Sequence, residues 1–159
     1  MRATFLCILA TCLPFASYSC DAGERLVFEC SSSAKNVSLC RRGVAGQNWQ
    51  LIYRFGKLGE PPELSYASTR GSAEKQFTFD YEPWPKGSRS VVTFTRGKYE
   101  YVVHASSTAD PMQETQDEAG VKVYSGEELL ADIKCDLKTV KNNMWVELSN
   151  LALPKHSRN

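Results

Sequence analysis

A chain of 159 residues, 42% hydrophobic and 23% charged, has the length and balance of one globular domain. That composition excludes a disordered tail and a membrane-embedded helical bundle. With 19 basic against 18 acidic residues, no net field draws the chain to nucleic acid or to a lipid surface.

Met1-Arg2 opens with a positive charge, and the apolar run Ala3 to Ala16 is too short and, at Pro14, too broken to span a bilayer. Ser17 and Ser19 put small residues before a cut after Ser19. Residues 1–19 therefore read as a secretory signal peptide, and the protein as periplasmic or extracellular. Lipid anchoring through Cys20 is the weaker alternative, because Ser17 stands where a Leu-like residue is usual. No transmembrane segment is expected in the mature chain. It keeps Cys20, Cys30, Cys40 and Cys135, an even number that in an exported chain reads as disulfides. No Cys-x-x-Cys occurs, and His104 and His156 have no ligand-like spacing, so neither metal nor cofactor is expected.

From there the period is two. Leu26–Cys30, Val37–Arg41, Trp49–Phe55, Glu63–Tyr66, Gln76–Tyr81, Ser90–Thr95, Tyr99–His104, Val121–Tyr124 and Leu129–Cys135 read as short strands separated by Gly, Ser and Pro turns. The fold class is mainly β: a single antiparallel barrel or sandwich of eight or nine strands, with a short C-terminal helix. The helix is expected from Leu137, Val140, Met144, Leu148 and Leu151, with Asp136 as N-cap and Met144 and Trp145 in the core; a strand at Trp145–Leu148 is the rival. One β-rich domain thus spans residues 20–153, and a polar tail residues 154–159.

Strand faces bear on the cysteines. Leu26, Phe28 and Cys30 share a face, as do Leu129, Ala131, Ile133 and Cys135, and both faces are apolar. Cys40 shares the polar face of its strand with Asn36 and Ser38, so a Cys30–Cys40 bond would need a bulge. Cys30–Cys135 is favoured and leaves Cys20–Cys40; the other two connectivities stay open.

Catalysis finds little support, and the chain reads as a non-enzyme. His104, in Val-Val-His-Ala, is expected at a strand edge or rim, and Asp80 and Glu82 share a face as exposed acids often do. Binding is better served. Pro83-Trp84-Pro85 offers a stiffened loop with a Trp anchor, and Arg70, Arg96 and Lys98 sit at expected loop tips. The acid-rich stretch 110–120 reads as a connection, and Asn36-Val37-Ser38 matches a glycosylation sequon.

The segments Leu26–Cys30, Phe94–Gly97 and Asp132–Cys135 resemble the small periplasmic C-type lysozyme inhibitors of Gram-negative bacteria, loosely and over residues 26–135. Tyr53–Gly56 resembles a segment of a broader set of small exported bacterial proteins. The inhibitor resemblance implies a barrel closed by a disulfide between first and last strands. It places Arg96-Gly97 where that family has Lys-Gly, with Ser88-Arg89 as the nearest basic-polar element upstream. The resulting expectation is an exported protein-binding module that inhibits a lysozyme-like cell-wall hydrolase by loop insertion. The partner-facing residues would be Arg96, Lys98, Ser88, Arg89, Trp84 and Arg70. The alternatives are an envelope scaffold or assembly protein, and an immunity protein against a secreted toxin.

Overall fold

In the computed structural model, residues 20–44, 47–109 and 117–156 are described. The expected signal peptide, most of the acid-rich connection and the last three residues lie outside that set. Alternating sequence produces ten strands: β1 (Glu24–Ser32), β2 (Lys35–Val44), β3 (Gln47–Lys57), β4 (Leu64–Ala67), β5 (Phe77–Trp84), β6 (Gly87–Arg96), β7 (Tyr99–Thr108), β8 (Glu118–Ser125), β9 (Glu128–Lys134) and β10 (Lys141–Asn142). All nine expected strands are present, several of them longer than their apolar alternation indicates.

The strands form two antiparallel sheets of five. Sheet A runs β10-β1-β2-β3-β4, and sheet B is the meander β5-β6-β7-β8-β9. Of the two expected architectures the sandwich is the one formed; β1 pairs with β2 and β10, so no barrel closes. One cluster joins the facing sides of both sheets, with Phe28, Leu39, Leu51 and Tyr53 opposite Phe77, Val92, Phe94 and Val103. At its centre Phe94 lies between Tyr66 and Tyr101, with ring centroids at 5.0 and 4.9 Å. Aromatic pairs at these separations add to the gain from burial.

The C-terminal region is a broken helix, not the continuous one expected. A single 3-10 turn spans Leu137–Thr139, β10 follows, and only Met144–Leu148 is α-helical (α1). Asp136 does cap, its carboxylate accepting from the Lys138 amide, but it caps the 3-10 turn. Asn142 and Asn143 break the run through side chains bonded to backbone: Asn142 Oδ1 accepts from the Met144 amide at the start of α1, and Asn143 Nδ2 donates to the Leu26 carbonyl. Met144 and Leu148 of α1 plug one end of the sandwich, fully buried. Trp145, expected in the core, is instead half exposed and lies against Tyr81 with centroids at 4.2 Å.

Two disulfides pin this architecture. Cys30–Cys135 joins β1 of sheet A to the residue after β9 of sheet B, with Cα atoms 5.7 Å apart. It links the two sheets where a barrel seam was expected. Beside it the Asp136 amide donates to the Ser31 carbonyl at 2.8 Å, carrying the backbone from one sheet to the other. Cys20–Cys40 fastens the first described residue to the outer face of sheet A. That supposedly polar face is closed at β2, where Asn36, Ser38 and Cys40 are all buried. Asn36 Oδ1 accepts from the Ser31 hydroxyl, so the sequon asparagine is not presented to solvent.

Candidate functional site

The expected partner-facing residues do not assemble into one site. Arg96 and Lys98 stand at the β6–β7 hairpin tip; Ser88, Arg89 and Trp84 lie at the other end of β6. At about 3.3 Å per residue the ends of that strand are roughly 30 Å apart. Arg70 occupies a third place, in the turn after β4, where the Gly71 amide donates to the Trp49 carbonyl of sheet A.

At the tip Arg96 pairs with Tyr99 across two turn residues, Gly97 and Lys98. Gly97 has φ +62°, and glycine at the first of two central positions suits the tight turn that twisted strands demand. Residues 95–99 are exposed, and the Lys98 ammonium lies 5.4 Å from the Tyr99 ring centre. Arg25, Arg41, Arg42 and Arg54 are all ion-paired, whereas Arg70, Arg89 and Arg96 have no ion pair among the described residues.

The opposite end of β6 belongs to a different feature. Trp84 is not in a free loop but ends β5, paired with Gly87, so the turn is Pro85-Lys86. Its indole folds over Gly87, where any side chain would collide with it. Ser88 lies beside Ser90, Tyr81 and Trp145 in a separate cleft, while Arg89 points to the outer face of sheet B.

That outer face carries a groove of about 840 Å³, lined among others by Glu82, Trp84, Arg89, His104, Glu118 and Lys122. The strand register explains its shape. Glu82, Arg89, Ser106 and Glu118 form one cross-strand row, and Thr93, Val102, Lys122 and Asp132 another. Between them runs Asp80, Val91, His104, Gly120 and Lys134. Gly120, opposite His104, has no side chain; a Cβ there would strike the Ile133 carbonyl oxygen. The missing side chain lets the His104 ring lie close against the Gly120 backbone, with Nε2 3.4 Å from where a Cβ would stand, and the longer charged side chains of the neighbouring rows flank it.

His104 is expected at a rim, but it sits on the central strand of sheet B and is 3% exposed. Among the described residues neither ring nitrogen has a hydrogen-bond partner; a Glu118 carboxylate oxygen is 3.7 Å from Nδ1. Burial pushes its pKa below the ordinary 6.5, with Glu118 and Asp132 opposing the shift and Lys122 and Arg89 adding to it. A neutral imidazole offers one donor and one acceptor. Arg89 Nε and Trp84 Nε1 are likewise buried without partners.

A second cleft of about 390 Å³ shares Glu82, Arg89 and Lys122 with the first and extends it past Val91, Thr93, Val102 and Tyr124 to His156. The C-terminal segment closes that end. The Phe79 amide donates to the Pro154 carbonyl, and the His156 amide to Asp80. The expected acid pair is thus divided, Asp80 holding the tail and Glu82 lining the groove.

Sequence reasoning missed the groove because its signal is spread over five strands; the Val-x-His in β7 and the lone Gly120 in β8 were its only local marks. For a metal, Cys20, Glu24 and Cys40 bring ligand-type atoms together among the described residues, but both sulfurs are consumed by the disulfide. No helix among them is long and apolar enough to cross a membrane. Comparison with protein-family models, curated proteins and solved structures finds no match to this chain.

Proposed function

We propose that this protein is an exported binding module whose β6–β7 hairpin tip enters the carboxylate-lined cleft of a glycan-cleaving hydrolase of the lysozyme type. The observation that carries this reading is the Arg96 guanidinium, exposed on a two-residue turn and without an ion pair among the described residues. Such a cleft holds two carboxyl groups, and a guanidinium can engage a carboxylate through two parallel hydrogen bonds once water is excluded. The hairpin is held by the β6–β7 ladder, so little backbone freedom is lost on docking. Two disulfides suit the oxidising periplasm or extracellular space in which such hydrolases work.

The test is turnover of several lysozymes with the disulfide-bonded protein added. Wild type should inhibit at least one, and Arg96→Ala should weaken that inhibition about 30-fold or more, as removing one partner of a desolvated pair does. Its melting temperature should stay unchanged, because Arg96 is exposed. Trp84→Ala, at the far end of β6, should inhibit like wild type. Absence of inhibition across the lysozymes removes the reading, and full inhibition by Arg96→Ala removes the anchor.

A further inference from the structure

We infer that the groove on the outer face of sheet B binds an uncharged oligosaccharide, with His104 as its central hydrogen-bonding group and Trp84 as an apolar wall at one end. His104 is almost wholly buried yet lines the groove with both ring nitrogens unpartnered. A buried polar group without a partner is costly, and a ligand that supplies one recovers that cost. The groove's volume, about 840 Å³, falls within the roughly 300–1,000 Å³ of small-molecule sites, and its shared walls with the second cleft make it elongated.

The lining selects the ligand class. Glu82, Asp117, Glu118 and Asp132 only accept when ionised, Arg89, Lys122 and Lys134 only donate, and His104 does both. Acids and bases alternate around the groove, so a ligand of strong charge meets repulsion as well as attraction. Sugar hydroxyls donate and accept at once and suit such a mixture without bringing a charge. An extended peptide fits less well: its main chain is recognised by a free strand edge, whereas β6, β7 and β8 have both edges paired within sheet B.

The test is calorimetric titration of the full disulfide-bonded protein with cellohexaose and with the hexamer of N-acetylglucosamine, alongside NMR of the Trp84 indole and His104 ring. At least one hexasaccharide should bind at submillimolar concentration and shift both sets of signals. His104→Gln and Arg89→Gln should each weaken binding about tenfold or more, while Arg96→Ala binds as wild type. That last variant separates this site from the hairpin tip, so either can fail alone. If His104→Gln does not fold, Arg89→Gln and Lys122→Gln on the walls decide. No binding at millimolar sugar, binding undiminished in the wall variants, or shifts confined to the hairpin tip would each overturn the inference. So would a mixed-charge hexapeptide that occupies the groove when neither sugar does.

Discussion

Glu24 shows how single side chains hold the segment that leads into β1. Its carboxylate is fully buried and takes Arg54 at 2.9 Å and Arg42 at 2.7 Å, while Arg54 also reaches Asp21. Burial alone would raise its pKa, but hydrogen bonds from Arg54 and the Asp21 amide, with the charges of Arg54 and Arg42, bring it below 4.5. Glu147 on α1 behaves alike: burial opposes ionisation, and Arg25 and Arg41 outweigh it. Removing one partner strands the other, so Arg54→Ala should cost about 3 kcal/mol in denaturant unfolding. The pH dependence follows by linkage. A carboxylate whose folded pKa is depressed stabilises the fold above its unfolded pKa, and that contribution is lost as pH falls from about 4.5 through the folded value. His104 is also depressed, so the unfolded chain takes up its proton first, and stability declines as pH falls below 6.5. Melting temperature should therefore fall in two stages on acidification. His104→Gln should remove the upper stage, and Glu24→Gln should lower stability at neutral pH and flatten the lower one. Unaltered slopes in both variants would place the acid sensitivity elsewhere.

At the scale of elements, bulges and cross-links decide which face each residue takes. In β1 the register shifts between Leu26 and Phe28, inserting Val27 as the extra residue. Val27, Phe28 and Cys30 are fully buried, and Leu26 is displaced from the face it would share with them. A second shift, between Val123 and Tyr124, brings Leu129 opposite Tyr124 and leaves Leu129 and Leu130 about half exposed, against the expected apolar face of β9. Cys30 and Cys135 nevertheless meet, because each lies beyond its bulge on the inner side of its sheet. Their bridge closes a separation of 105 residues, against 20 for Cys20–Cys40. In the chain-entropy account the longer loop is worth about 1.5 kcal/mol more. Cys30→Ala with Cys135→Ala should thus destabilise more than Cys20→Ala with Cys40→Ala by that margin, read from paired denaturant curves. Equal losses would argue that inter-sheet packing already restrains the chain.

For the whole molecule, the two proposed sites lie apart on one sheet. The β6–β7 tip projects from one end of sheet B, and the groove occupies the outer face of the same sheet towards the other end, around His104. The strands that hold both share one hydrophobic cluster with sheet A, so both rest on a rigid support. Cleavage of the expected signal peptide after Ser19 should leave Cys20 at the N-terminus. Intact-mass measurement on the exported, non-reduced protein should give a chain beginning at Cys20 and lighter by four hydrogens for its two disulfides. A diacylglycerol mass on Cys20 would instead make it an anchored protein and would contradict the Cys20–Cys40 bridge.

The alternation of Phe77, Phe79 and Tyr81, or of Val92 and Phe94, is a local property of a strand, so the nine strands, their turns and the all-β class were legible in the sequence alone. The cysteine faces were legible too, since period two carries them along each strand. Pairing is not local. Sorting ten strands into two sheets, the bulges at Val27 and beside Tyr124, and the exposure of Trp145 depend on which segments meet across the core. The same holds for the groove: a histidine in Val-Val-His-Ala looks like a rim residue until Arg89, Glu118, Lys122 and Asp132, from three other strands, are placed around it. Only the tertiary structure buries His104 without a hydrogen-bond partner among the described residues, because only register sets the side-chain-free Gly120 opposite it and lets the ring lie close against that backbone.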